Sequence, residues 1–543
     1  MSDHAGMSAD YIVVGAGSAG CAVAARLSED PSVRVLLLEA GARDRNPWLH
    51  VPIGYAKTMY HPTLSWNLKT EPEPELEGRS IPWPRGRVLG GSSAINGLIY
   101  IRGQHADYDH WRQLGCTGWS FEDVLPYFRR AEDQERGADA LHGKGGPLAV
   151  SDLRDQSALA RAFIDAAVEL GLPRNDDFNG PEQEGAGFYQ VTARGGWRCS
   201  AATAYLRPAR NRPNLMVVTG AEANRLILQG RCAVGVAWRQ GGVAREARAA
   251  REVILCGGAI ASPRLMLLSG IGPAAELAAL GIDVAHDLPQ VGRNLQDHFQ
   301  ARMVFRCTRR VTLNERKASL IGSLGMGLQF ALFRRGPLTI SAGTAGLFAR
   351  VLPGSATPDV QFHFIPFSAD RPGTVLHPFP GFTISVCQLR PESRGTITLA
   401  DADPATPARI RANYLSTETD RRCMVEGLKL TRRLAATRAM SAWIAAEHIP
   451  GPDADGDEAL LAHARRTGTT IFHPSGTCRM GSDPASVVDT ELRVRGIDGL
   501  RVADASIMPT VVSGNTNAAC IIIGEKAADL IRAAVRQHPA LAA

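Results

Sequence analysis

The chain has 543 residues, 45% hydrophobic and 21% charged, which suits a globular protein of two large or several ordinary domains. Its 60 basic and 54 acidic residues leave a net charge of +6 spread along the chain, and no basic run interleaved with aromatics suggests a nucleic-acid groove. Ten scattered cysteines form neither CxxC pairs nor a zinc-ligand pattern, so no metal centre is expected, and buried free thiols of a reducing compartment are.

The N-terminal segment Met1–Met7 lacks the basic and apolar regions of a secretion signal, and no run of about 18 apolar residues follows, so a cytoplasmic enzyme is expected. Tyr11–Val14 then read as a buried strand entering a turn with Gly15, Gly17 and Gly20, and Ser18–Glu29 carry small and apolar residues at helical spacing. A second strand, Val33–Glu39, ends in an acid 19 residues after Gly20. Strand, glycine turn, helix and acid in this register mark a dinucleotide clamp. Gly15 permits the turn, Gly17 lets backbone approach a pyrophosphate, and Gly20 lets helix and strand pack closely. The helix N-terminus, at Ser18 and Ala19, offers unpaired N–H groups to phosphates. Glu39, with Ala40 beside it, can accept hydrogen bonds from a ribose diol.

From 214 to 256 the pattern changes to short alternating strands with turns at Gln229–Gly230 and Gln240–Gly242, a β-meander. Val253–Cys256 return to a buried strand and Pro263–Leu268 to a helix. The apolar segment Ser319–Phe333, followed by Arg334 and Arg335, suits a packed helix or one that touches a membrane surface. Val360–Ile365, Gly381–Cys387 and Arg394–Leu399 read as an antiparallel sheet, edged by a loop with Pro366, Pro372, Pro378 and Pro380. Leu500–Asp504 form a strand ending in an acid, and Ile521–Val535 a closing helix. The expected fold is α/β: a doubly wound Rossmann-type domain with a meander (1–155, 215–305 and 465–543) and an α+β substrate domain (156–214 and 306–464).

Two polar groups near the end suggest chemistry. His473, between Phe472 and Pro474, can act as a base because imidazole titrates near neutral pH. Asn515 cannot take a proton at that pH, but its amide can hold a hydroxyl or developing alkoxide. His298 and Cys478 read as structural.

Five blocks in order resemble the glucose-methanol-choline oxidoreductases, an FAD-dependent family, over nearly the whole length. They are the clamp, Pro84–Gly97, Gly257–Pro273, Val291–His298 and the region from Phe472 to Asn517. Bacterial choline-dehydrogenase-like alcohol dehydrogenases look most similar. The resemblance implies FAD, with Val88, Gly91, Asn96 and Gly97 near the flavin and Ala223 meeting the adenine through its backbone. Asp504 and Ala505 would face the cofactor, and Asn517 its flavin edge. His473 becomes the base and Asn515 the second active-site group. Some relatives carry a flavin-linking histidine where this chain has Ile95, so the FAD is expected to be non-covalent.

The expected reaction is oxidation of a neutral primary alcohol, aliphatic or aromatic, to the aldehyde by hydride transfer to flavin N5. Choline would want an aromatic cage and an acid, whereas aromatics make up 6% of the chain and Phe472 stands where choline-type relatives often have tyrosine. Choline or sugar-alcohol dehydrogenation, an oxygen-using oxidase and a non-redox hydroxynitrile lyase are the alternatives. The electron acceptor is a quinone, another carrier or oxygen, with a dehydrogenase expected over an oxidase. Peripheral contact with the inner face of a membrane is a further expectation, and oligomeric state is not legible.

Overall fold

Apolar runs cut by glycine turns build two seven-stranded sheets in the computed structural model, which describes residues 7–371 and 373–537. The principal strands begin with β1 (Met7–Val14), β2 (Val35–Glu39), β3 (Gly185–Phe188), β4 (Leu215–Thr219), β5 (Ala221–Gln229), β6 (Cys232–Gln240) and β7 (Val243–Leu255). They continue with β8 (Phe299–Cys307), β9 (Ala345–Ala349), β10 (Val360–Ile365), β11 (Gly381–Gln388), β12 (Ile444–Ile449), β13 (Thr469–Thr470) and β14 (Leu500–Val502). The main helices are α1 (Ser18–Leu27), α2 (Ala158–Glu169), α3 (Gly258–Leu268), α4 (Leu320–Phe333), α5 (Glu418–Ala436) and α6 (Asn517–Gln537).

The first sheet runs β4-β2-β1-β7-β6-β5, with β14 also on β7. Its β4, β2, β1 and β14 pairings are parallel, and all five residues of β2 are buried, as a parallel strand covered on both faces should be. Long β7 serves three partners: its start returns antiparallel along β6, and its later part runs parallel to β1 and, at its end, to β14. The expected meander and α/β class are therefore present. Helix α6 crosses α1 so closely that a Cβ on Gly524 would lie 2.4 Å from the Ala19 carbonyl oxygen.

The second sheet is antiparallel, in the order β12-β8-β11-β10-β9-β3, with β13 also on β8. Side chains alternate across it as the pleat requires. Ala301, Met303, Phe362, Phe364, Ile384 and Val386 enter a core shared with α2 and α5, while Gln300, Arg302, His363 and Ser385 line the cavity on the other face. Strand β8 spans the expected domain boundary at 305, and β13 brings residues 469–470 into the same sheet. Thr396–Thr398 pair with Arg409–Arg411 instead of widening the large sheet. Pro372 of the proline-edged loop, and residues 1–6 and 538–543 of the expected nucleotide domain, lie outside the described residues. Among the described residues no helix is long and apolar enough to cross a membrane, and no cluster of metal-ligating side chains occurs.

Candidate active site

A cavity of roughly 1090 Å³ is lined by residues of both sheets. That is at the upper end of ordinary ligand pockets, enough for a large cofactor with a substrate beside it. One end is the glycine clamp. Gly15 has a φ of 104°, and a Cβ there would sit 2.5 Å from the Cys256 carbonyl oxygen. A Cβ on Gly20 would lie 1.9 Å from Gly15 O, so this glycine is needed for packing beneath the cavity rather than for lining it. Gly17 is open by contrast, with Cys256 O at 3.9 Å as its nearest neighbour. Helix α1 begins there without a side-chain cap, so the amides at Ser18 and Ala19 remain for an anion.

The second glycine block presses on the first: a Cβ on Gly91 would be 2.7 Å from Gly17 Cα. Glu39 ends β2 and accepts hydrogen bonds from Ala16 N (2.9 Å) and Gly41 N (2.7 Å), leaving further lone pairs for a diol. Burial pushes its carboxyl up to about 7. Ala40, Asn96, Gly97, Ala223, Ala505 and Asn517 also line the cavity. Asn517 Oδ1 accepts from Ser18 Oγ at 2.7 Å, tying the last helix to the clamp. Val88 does not line the cavity; it is fully buried against Leu49, Leu64, Ala94 and Ile95. Asp504 accepts from Gly258 N (2.8 Å), Ser262 Oγ (2.5 Å) and Ser506 N (2.8 Å), which fixes the start of α3 beside the clamp. An uncapped helix start, a glycine floor that a Cβ would fill and an acid at the end of β2 fit an adenine dinucleotide, and the Gly91 contact adds a distant segment able to wrap FAD.

The catalytic candidates meet at the other end. His473 follows Phe472, whose left-handed φ of 70° is costly for a bulky residue and sets the direction of the next side chain. Asp297 Oδ1 accepts from His473 N at 2.7 Å, while its Oδ2 accepts from Thr470 Oγ1 at 2.5 Å and from the Tyr414 hydroxyl. Burial pushes the Asp297 carboxyl up to about 6.

Proton positions on the two histidines follow from their neighbours. His298 Nε2 lies 2.9 Å from the Leu389 carbonyl, which only accepts, so that nitrogen carries the hydrogen. His298 is neutral, because burial lowers its pKa to about 4, and its Nδ1 is therefore an acceptor. The facing His473 Nδ1, 2.9 Å away, must donate, which leaves His473 Nε2 unprotonated and able to accept. Asn515 gives the same answer independently. Its Oδ1 accepts from Gln361 Nε2 (3.2 Å), so its Nδ2 faces His473 Nε2 at 3.3 Å and donates to it. Burial first, then His298, His363 and Arg85, hold the His473 pKa well below the usual value. His298 was expected to be structural; its position beside Asp297 in a glycine-bounded block was the only sequence signal for more. Cys478 is buried and unpaired, as expected.

The sheet side of the cavity carries Arg302, His363 and Ser385, and Met326 and Gly327 of α4 form part of its outer wall. The opposite face of α4 is bare: Leu320, Ile321, Leu324, Leu328 and Leu332 are all exposed, Ile321 by 84%. Arg316 and Lys317 just before the helix and Arg335 just after it are exposed as well.

Sequence models described as GMC oxidoreductase match residues 9–300 and 391–524. An alcohol dehydrogenase [acceptor] of Pseudomonas putida is 43% identical over 525 residues, covering 96% of this chain and 95% of its own. An oxygen-dependent choline dehydrogenase of Brucella ovis is 42% identical, covering 97% and 96%. Among solved structures, pyridoxine 4-oxidase from Mesorbium loti superposes with a TM-score of 0.87 at 32% identity, over 98% of this chain and 99% of that one. A formate oxidase superposes with a TM-score of 0.90 at 27% identity, over the full length of both chains.

Proposed function

The chain belongs to the GMC oxidoreductases, FAD-dependent enzymes acting on CH–OH groups, and from that premise we propose that it oxidises a primary alcohol, aliphatic or aromatic, to the aldehyde. The observation that carries this reading is the hydrogen-bond chain Leu389–His298–His473, which leaves His473 Nε2 unprotonated beside Asn515. When bound, FAD supplies the acceptor for the hydride that leaves the carbinol carbon. The clamp residues Gly15, Gly17, Ser18, Ala19 and Glu39 would hold its adenine half, and Gly91, Asn96 and Gly97 would lie along the rest.

His473 Nε2 takes the hydroxyl proton, a role for which a ring kept neutral at physiological pH is ready. Asn515 Nδ2 turns its donor to the substrate oxygen and stabilises developing negative charge there. His298 Nδ1 keeps accepting from His473 Nδ1, so the imidazole stays oriented as it gains the second proton. The Asp297 carboxyl, held against the His473 main chain, offsets part of the new positive charge.

Choline is the weaker substrate reading. Among the described lining residues the acids are Glu39, Glu222 and Asp504, all on the clamp side, whereas Lys57, Arg302, Lys317 and Arg371 supply cations elsewhere. A quaternary ammonium would meet charge of its own sign. Ile95 offers no bond to flavin, so FAD should leave the chain on acid precipitation; flavin retained in the pellet would contradict a non-covalent cofactor. We also propose that the bare face of α4, flanked by Arg316, Lys317 and Arg335, rests on an anionic lipid surface, which suits a dehydrogenase passing electrons to a quinone. Anaerobic bleaching of the flavin by a primary alcohol tests the reaction, and reoxidation by a soluble quinone compared with oxygen tests the acceptor.

A further inference from the structure

We propose that Arg302, Ser385 and His363 form a substrate subsite for a carboxylate or similar anionic group, carried on the alcohol two strand residues away from the reacting hydroxyl. The three residues come from adjacent strands β8, β11 and β10. Their register is direct: Arg302 pairs with Ser385, and Ser385 with His363, so they form one row across the sheet. All three line the cavity. The neighbouring row is Gln300, Cys387 and Gln361, and Gln361 donates to the Asn515 amide oxygen at 3.2 Å. Successive rows on one face are two residues apart, roughly 7 Å, which sets the distance from the catalytic row to this one.

The row is short of partners. Arg302 is 8% exposed, its Nη2 reaches only Thr383 Oγ1 at 3.4 Å, and its Nη1 has no partner. Ser385 Oγ and both ring nitrogens of His363 are likewise buried and unpartnered. Asp370, the acid whose field reaches Arg302, is already paired with His377 at 3.0 Å. Four unpartnered polar atoms in one buried row are costly unless a ligand or ordered water completes them. A buried guanidinium without a carboxylate is the most expensive member, and an incoming anion relieves it most.

The donor set suits a carboxylate. Arg302 can present two N–H groups, Ser385 one O–H, and His363, which burial keeps neutral, one N–H. Lys317 and Arg371 add positive potential elsewhere along the cavity wall. This narrows the substrate from a neutral alcohol to one with an anionic end, and it rests on the alcohol-oxidation reading only for the hydroxyl end.

Calorimetric titration of the FAD-loaded protein tests the subsite without turnover. The probes are 4-methylbenzoate and its neutral analogue 4-methylbenzamide, whose ring holds the polar group at about the required separation. The carboxylate should bind roughly ten- to a hundredfold more tightly, as a charge-assisted bidentate pair would allow. Arg302→Met should abolish that preference and Arg302→Lys keep part of it. If Arg302→Met does not fold, Ser385→Ala should still reduce the preference, and equal affinity of both probes for the wild type would overturn the subsite by itself. Kinetics with 4-(hydroxymethyl)benzoate and benzyl alcohol separate the two readings. Oxidation of both alcohols with equal kcat/KM and no carboxylate preference sinks the subsite and leaves alcohol oxidation standing. A carboxylate preference with neither alcohol oxidised supports the subsite and counts against the reaction.

Discussion

His298 and His473 face each other through their Nδ1 atoms at 2.9 Å, and only one of those nitrogens can carry the hydrogen. The Leu389 carbonyl decides which, by claiming the proton on His298 Nε2. A backbone oxygen thus sets the tautomer of the base two residues removed from it through hydrogen bonds. His298 is on this account a positioning residue. His298→Leu should lower kcat by about a hundredfold with a smaller change in KM, because His473 Nδ1 loses its buried acceptor and the ring its fixed tautomer. His473→Ala should cost more, roughly 10²- to 10⁴-fold, while flavin content survives. Steady-state kinetics on both variants check the order; near wild-type turnover in His473→Ala would remove it as the base.

The pH dependence follows from burial. His298 is held down to about 4, and the His473 pKa lies well below the ordinary imidazole value. The activity of the wild type should therefore stay level as pH falls from 8 to about 6.5 instead of halving near the free-imidazole value. Stability carries the same sign. A depressed histidine binds fewer protons folded than unfolded, so its contribution is complete above about 6.5 and is lost as pH falls towards 4. His298→Gln has no such group, so its melting temperature relative to wild type should rise across that window. Differential scanning calorimetry at several pH values reads the difference, and a gap that widens against the variant on acidification would reverse the assignment.

The clamp makes a steric prediction. Gly20→Ala would place a methyl carbon 1.9 Å from Gly15 O, so α1 must shift away from the turn that receives the pyrophosphate. Overpacking of this kind costs about 1–3 kcal/mol, and FAD occupancy should fall with it. Gly325→Ala, in α4 with no atom within 4 Å of the added carbon, should instead leave flavin content unchanged. Flavin-to-protein absorbance ratios and melting temperatures of the two variants check the contrast.

Helix α4 should behave as a lipid-facing surface. The protein should sediment with phosphatidylglycerol vesicles at low salt, less so at high salt, and hardly with phosphatidylcholine. The pair Leu324→Glu and Leu328→Glu should leave it in the supernatant. A wild type that is dimeric and becomes monomeric in that variant would show the face to be a contact between copies instead.

Local signals carried much of this reading. The clamp was legible because each glycine answers a backbone requirement at fixed spacing, and the strands expected at Val360–Ile365 and Gly381–Cys387 are present, the second one residue longer. His473 and Asn515 came from a motif, and the cavity brings them within 3.3 Å. What escaped was whatever depends on pairing between distant strands. Phe299–Cys307 mixes Gln300 and Arg302 with apolar residues, and only its neighbours in the sheet reveal that those polar side chains enter the cavity. His298 reads as structural from the sequence, because its partners Leu389 and His473 lie 91 and 175 residues away and no local pattern reports them. Asp504 lines the cavity as its motif suggests, and its hydrogen bonds to Gly258, Ser262 and Ser506 add an anchoring of α3 that no local pattern announces.

The most direct test is an anaerobic absorbance titration of the purified yellow protein with 1-octanol, benzyl alcohol, 4-(hydroxymethyl)benzoate, choline and sorbitol, run beside His473→Ala. Rapid bleaching of the flavin bands by a primary alcohol, slowed by orders of magnitude in the variant, is the predicted result. Flavin that none of these alcohols bleaches, or that bleaches equally fast without His473, would contradict the account.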